Sequence, residues 1–156
     1  VHGMSQRGGA VQSHLRFSDR PIHSDLIPMG KADLLLSMEP MEVLRYTAFL
    51  APSGAIVTEC NPFVNVPNYP ELDSVHAALT DYPNAVMVDA EGEAREIRAS
   101  RSSNMVLLGA ASSFMPLSVE ALEGAIQTVF GRKGDTIVGK NIEALHRGRS
   151  LSGCAL

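Results

Sequence analysis

The sequence predicts an α/β fold: one domain, a three-layer α/β/α sandwich around a mostly parallel sheet. Three short apolar runs carry this prediction: "DLLLSM" (33–38), "GAIVTEC" (54–60) and "NAVMVDA" (84–90). Their length and nearly continuous hydrophobicity suit strands buried on both faces. Stretches with helical spacing separate them, which is the alternation that builds a parallel sheet. Size agrees: 156 residues with 45% hydrophobic content suit a single domain, residues 1–156, with its own core.

The elements follow in chain order. "AVQSHLRF" (10–17) alternates, with Val11, Ser13, Leu15 and Phe17 on one side and Gln12, His14 and Arg16 on the other. That period predicts a half-buried strand. "SDRP" (18–21) is a turn, and Pro28 and Gly30 keep the next stretch irregular. After the strand at 33–38, "EPMEVLRYTAFLA" (39–51) reads as a helix with Pro40 at its start, ended by "PSG". Val43, Leu44, Phe49 and Leu50 would be its core contacts. Past the strand at 54–60, "NPFVNVPNYP" holds three prolines in ten residues and is read as loop. "ELDSVHAALTDYP" is a helix with Leu72, Val75, His76 and Leu79 on one stripe. The strand at 84–90 leads into a short helix near 91–97. "SNMVLLGAASSF" (103–114) is apolar nearly all round, which predicts a buried helix, with a strand as the alternative for its first half. "SVEALEGAIQTVFGRKG" is a helix capped by Ser118, with Ala121, Leu122, Ala125, Ile126 and Val129 toward the core and Gly131 or Gly134 at its end. "DTIVGKNIEALHRGR" is a last amphipathic helix, capped by Asp135, with Ile137, Asn141, Ile142 and Leu145 near one face.

Charge and composition exclude several functions. The net charge is −4, so there is no basic surplus to displace counterions from nucleic acid, and "RGG" occurs once. Two cysteines, Cys60 and Cys154, cannot by themselves build a zinc or iron–sulfur site. They read as incidental thiols of a reduced, cytoplasmic protein. No apolar run approaches the ~20 residues of a membrane span, and no signal peptide is visible. Val1 stands inside a Gly-rich loop, so an upstream segment is expected.

That loop is the first motif. In "GMSQRGGA", Gly3 and Gly8 have the spacing of a phosphate-binding P-loop, but Gly9 and Ala10 stand where Lys and Ser/Thr belong. A nucleotidase lacks its cation and its magnesium ligand here. Gly3, Ser5, Gln6, Arg7, Gly8 and Gly9 form either an anion-tolerant contact loop or a tight turn with a surface arginine. The five histidines share no metal-ligand spacing, so no metal is expected. Neither Ser13 nor Ser24 sits in a G-x-S-x-G elbow. Glu39 follows a strand's C-terminal end, where open α/β sheets bind ligands; with Glu42 it equally suits a helix N-terminus. Asn61 and Asn65 on the Pro-rich loop, and Asn104, complete the candidate pocket set.

"HGMSQRGGAVQSHLR", "SDLIPMGKADLLLSMEPMEVLRY", "NPFVNVPNYP" and "SNMVLLGAAS" together resemble the gamma-type domain of the 2-oxoacid:ferredoxin oxidoreductases. "MEPMEVLRY" with "PNYP" is similar to the beta subunits of the indolepyruvate branch. The resemblance covers essentially the whole chain. It implies an α/β/α domain that packs on a larger alpha subunit. It also implies CoA-dependent oxidative decarboxylation of arylpyruvates, with electrons passed to ferredoxin. Thiamine diphosphate, magnesium and [4Fe–4S] clusters are then expected on the alpha subunit and none of them on this chain. Arg7 would meet a substrate carboxylate or a CoA phosphate. Family members usually carry a G-x-G-G-Q-G βα unit before "HGMSQRGG", which this sequence lacks; a sheet short of a strand would expose an edge. The competing readings are a free-standing module binding CoA or a nucleotide through the loop at 3–9, and a self-associating structural protein using Met29, Met38, Met41 and "VPNYP" as apolar surface.

Overall fold

A computed structural model of the chain describes residues 11–64 and 67–151. Three parallel strands, β1 (Ala32–Ser37), β2 (Leu50–Glu59) and β3 (Ala85–Val88), form one sheet in the order β1-β2-β3. Helices α1 (Pro40–Leu44) and α2 (Leu72–Thr80) are the two crossovers, and both cover the same face. Helices α3 (Ala90–Glu96), α4 (Ser103–Ala111) and α6 (Asp135–Leu151) cover the other, and α5 (Val119–Phe130) packs on α6. The three layers are those the sequence predicts.

Period two along β2 assigns the layers. Ile56 is fully buried with Val43, Val75 and Leu79 under α1 and α2. Its neighbour Val57 is fully buried on the opposite face with Val86, Val88, Val106 and Ala110. A strand that must satisfy both faces can carry no alternation of polar residues, which is why these runs are continuously apolar. At about 25 cal/mol per Å² of apolar surface, each such side chain contributes roughly 1.5–3 kcal/mol.

The chain departs from the predicted elements in four places. The first is the described part of the stretch at 10–17. It joins the sheet nowhere; an isolated bridge at Gln12 is its one ladder contact. Val11, Leu15 and Phe17 are more than half exposed, while His14 is the side chain that packs inward. His14 accepts the Ile27 N–H at Nδ1 (2.9 Å) and meets the Phe49 ring edge-on. The alternation is present, but the polar side faces the protein.

The second departure is at 39–51. Here α1 stops after five residues, a 3₁₀ turn (Thr47–Phe49) follows, and β2 starts at Leu50, so "PSG" lies inside the strand. The pairing jumps from Ala32↔Leu50 to Leu34↔Ala55, and the surplus residues of β2 bulge out with Pro52 among them. A Cβ on Gly54 would lie 2.7 Å from the Ala32 carbonyl oxygen, so the bulge needs a glycine there.

Third, α5 buries only Leu122 and Ile126 of its predicted stripe, and Val129 is 67% exposed. Fourth, α6 turns Val138, Asn141, Ala144, Leu145 and Gly148 inward and leaves Ile137 out. Its face is chosen by small residues that let α4 approach closely. Asp135 is its first residue rather than its cap.

The helix ends follow known chemistry. Ser118 caps α5 through the Ala121 N–H, and Asp89 caps α3 through the Gly92 N–H. The C-terminal end of α3 closes with Arg98 N–H to the Arg95 carbonyl and Ala99 N–H to the Ala94 carbonyl. That is a Schellman arrangement, with Arg98 at φ 54° where glycine is usual.

Candidate functional site

Because the strands are parallel, the residues that follow β1, β2 and β3 emerge along one edge of the sheet. These are Glu39, then Cys60 and Asn61, then Asp89. The C-terminal edge of such a sheet is where α/β folds bind ligands.

Glu59 organises the middle of this edge. It is the last residue of β2 and is only 6% exposed. Its Oε1 accepts from the Cys60 N–H (3.0 Å), the Asn61 N–H (3.2 Å) and Asn61 Nδ2 (3.4 Å). Its Oε2 accepts from the Ala90 and Glu91 N–H groups at the start of α3 (3.1 and 3.3 Å). A buried carboxylate without hydrogen bonds would be costly; here N–H donors from two chain segments satisfy both oxygens. Glu59 thereby ties the end of β2 to the start of α3. Asn61 extends the tie, since Nδ2 also donates to Asp89 Oδ1 at 2.9 Å. His76 Nε2 lies 2.8 Å from the Cys60 carbonyl and fixes the turn from the α2 side.

The ligand atoms of Glu59, Cys60 and Asp89 lie within 4.8 Å of one another, a spacing that a cation could bridge. The donor set argues against one. Both Glu59 oxygens and Asp89 Oδ1 already accept N–H bonds. The Cys60 thiol is pushed up to about 11 by its partial burial and then by the charges of Glu59 and Asp89, so it stays protonated at neutral pH. The group is a hydrogen-bonded joint.

Beside β1, Glu39 is the N-cap of α1: its Oε2 accepts the Glu42 N–H at 2.7 Å. Its Oε1 accepts the Tyr69 hydroxyl at 2.5 Å. Burial, and then this bond to a carboxylate, raise the Tyr69 phenol well above its ordinary value. Of the two sequence alternatives for Glu39, the structure shows the helix N-terminus, as a cap at the sheet's C-terminal edge.

Of the sequence-predicted residues, Glu39 and Asn61 come to this edge. Asn104 is exposed in the first turn of α4 and makes no described hydrogen bond to either. Gly3, Ser5, Gln6, Arg7, Gly8, Gly9 and Asn65 lie outside the described residues. Sequence reasoning misses Glu59, Tyr69 and Asp89, and gives His76 only a place on the α2 stripe. Asp89 had a readable signal, an aspartate between an apolar strand and a helix with Glu91 and Glu93 in its first turn. A shallow groove lined by Arg16, Phe17, Asp19, Ile22 and Pro116 shares no residue with this edge. No helix among the described residues is long and apolar enough to cross a membrane.

Comparison with known proteins decides the family. Residues 1–151 match the model of the pyruvate ferredoxin/flavodoxin oxidoreductase family. The chain belongs to that family. It is similar to the indolepyruvate oxidoreductase subunit IorB of Archaeoglobus fulgidus, at 32% identity over 98% of this chain and 79% of that protein. The IorB subunit of Thermococcus kodakarensis is 36% identical over 81% of this chain and 67% of that protein. These relatives bear out the resemblance read from the motifs and place the chain in an oxidoreductase complex as a subunit. The pyruvate-flavodoxin oxidoreductase of Enterobacter agglomerans is 31% identical over 95% of this chain, which spans only 13% of that protein. Among solved structures, a 2-oxoglutarate:ferredoxin oxidoreductase from Magnetococcus marinus, with 2-oxoglutarate, coenzyme A and succinyl-CoA bound, has a TM-score of 0.63. It is 21% identical, and the match covers 89% of this chain and 22% of that one. The shared α/β/α fold is the content of that last match.

Proposed function

We propose that this chain is the small subunit of a CoA-dependent oxidoreductase that decarboxylates arylpyruvates such as indolepyruvate. The reaction breaks the bond between the carboxylate and the keto carbon, releases CO₂, joins the acyl carbon to the CoA sulfur and passes the electrons to ferredoxin. The observation that carries the reading is the pair of coverages: this chain aligns over 79% of an IorB subunit, yet over only 13% of a pyruvate-flavodoxin oxidoreductase. In the long relative, most of the polypeptide lies outside this unit. In the enzyme proposed here, whose IorB relatives are named as subunits, that remainder belongs to a larger subunit.

Thiamine diphosphate, its magnesium and the [4Fe–4S] clusters are assigned to that larger subunit. A [4Fe–4S] cluster takes four cysteine ligands and this chain has two, one of them the protonated Cys60. This chain's residues would then shape the substrate or CoA pocket from the side, through Glu39 and Asn61 on the sheet edge and through the loop with Gly3, Ser5, Gln6, Arg7, Gly8 and Gly9. Co-expression with a candidate larger subunit tests the reading. We expect the two chains to purify together on one tag, and indolepyruvate- and CoA-dependent reduction of an electron acceptor to need both. Arg7→Ala should then raise KM for indolepyruvate or for CoA. No complex, with tight CoA binding by this chain alone, would favour the free-standing module instead.

A further inference from the structure

The joint at the end of β2 fixes which atom Asn61 shows to a ligand. In most side-chain amides the oxygen and nitrogen are interchangeable in position, and only the partners decide between them. Here the decision is forced. Asn61 sits between two carboxylates, Asp89 Oδ1 at 2.9 Å and Glu59 Oε1 at 3.4 Å. Both are acceptors, so the nitrogen must face them, and its two hydrogens are both used. The opposite rotamer would set an amide oxygen against two carboxylates and leave the donor unused. Glu59 is itself fixed by four backbone N–H groups, and Asp89 by the Gly92 N–H, so neither can turn away. Asn61 is exposed, and its Oδ1 takes no partner among the described residues.

We infer that Asn61 is a specificity-determining residue that accepts a hydrogen bond from a neutral N–H of the ligand, and that Glu59 and Asp89 are its positioning residues. This rests on the function proposed above. The presented atom is an acceptor flanked by two negative charges, so it disfavours a carboxylate or a phosphate. It suits a donor. Two ligands of the proposed reaction carry one: indolepyruvate in its indole ring, and CoA in its pantetheine amides and adenine amino group.

Asn61→Ala in the two-subunit enzyme separates these sources, with phenylpyruvate as the substrate that lacks the ring N–H. A loss of about three- to tenfold in kcat/KM for indolepyruvate, with phenylpyruvate unmoved, assigns the contact to the indole. A similar rise in KM for CoA with either substrate assigns it to CoA. Asn61→Ser, which keeps a short acceptor, should fall between Ala and wild type on whichever constant moves. Glu59→Gln sets an N–H₂ among N–H donors and frees the amide. Its effect on that same constant should vanish when Asn61 is already Ala, whereas a purely structural loss would persist in the double variant. Copurification and thermal unfolding confirm that each variant assembles. An active enzyme whose constants for all three ligands ignore Asn61→Ala overturns the inference and leaves the proposed function standing. A wild-type pair that assembles without turnover overturns the proposed function and takes this inference with it.

Discussion

Cys60 gives the clearest expectation at the scale of single residues. Its thiol is raised from near 9 to about 11 by burial and by two neighbouring carboxylates. The thiolate is the reactive form, so in a Cys154→Ser background alkylation by iodoacetamide at pH 8 should be about a hundredfold slower than for an ordinary exposed cysteine. The rate should climb until about pH 11, and Asp89→Asn should move the profile down. A plateau near pH 9 would remove this account. The sign for stability follows: between about pH 9 and 11 the unfolded thiol has lost a proton that the folded one retains, so stability falls as pH rises through that window. The sequence reads this cysteine as an incidental thiol, and only its neighbours in the fold give it this expected profile. Its neighbour Glu59 was passed over for a physical reason. A carboxylate after an apolar run looks like a residue entering solvent. What buries it is a set of N–H groups, two of them at Ala90 and Glu91, thirty residues on, and local pattern carries no information about them.

At the scale of elements, the contact between α4 and α6 is the most demanding. A Cβ on Gly109 would lie 2.0 Å from the Leu145 carbonyl oxygen, and one on Gly148 only 1.8 Å from that of Val106. The two backbones touch, and no rotamer change relieves an added methyl. Gly109→Ala and Gly148→Ala should each cost about 1–3 kcal/mol, a drop of roughly 2–4 °C in Tm per kcal/mol for a chain of this size. Gly124 in α5 is the control: it is helical, exposed and has open space at its Cβ, so Gly124→Ala should gain up to ~1 kcal/mol. Thermal and denaturant unfolding of the three variants checks the set, and a stable Gly148→Ala would mean the helices can part cheaply. The same contact explains what was legible. The helix at 103–114 was readable as buried because it is apolar all round. The inward face of α6 was not, because glycine and alanine win a close crossing that isoleucine would obstruct, and a hydrophobicity pattern ranks them the other way. The three strands were readable from their continuous apolar runs. The early start of β2 was not, because Phe49 and Leu50 continue a helical spacing that the Ala32↔Leu50 pairing overrides.

At the scale of the whole molecule, the described residues leave apolar surface uncovered. Among the described residues, strand β1 is an edge of the sheet, yet its sequence is that of an interior strand. Leu36 is 44% exposed, Met38 59% and Phe63 73%. Leu15, Phe17 and Met29 add exposed bulk in the segment leading into β1. Edge strands in proteins that work alone are blunted by charge or proline; here Lys31 and Asp33 guard only the start of β1. Scattered apolar residues need no account, but Leu36 on an edge strand and Met38 just past its end expose apolar surface where a partner can add. On the function proposed above, the larger subunit supplies the cover. The isolated chain should therefore bind an environment-sensitive dye such as ANS and lose that signal when copurified with its larger subunit. Phe63→Glu separates cover from core. Its side chain is mostly in water already, so the isolated chain should keep its stability within ~0.5 kcal/mol. In the complex the new charge would be desolvated without a partner, so the fraction of chain retained by the larger subunit should fall severalfold. Retention equal to wild type, with the dye signal still lost on assembly, would show that the larger subunit covers the β1 edge without reaching Phe63. Retention equal to wild type with the dye signal intact would show that this surface faces elsewhere in the enzyme.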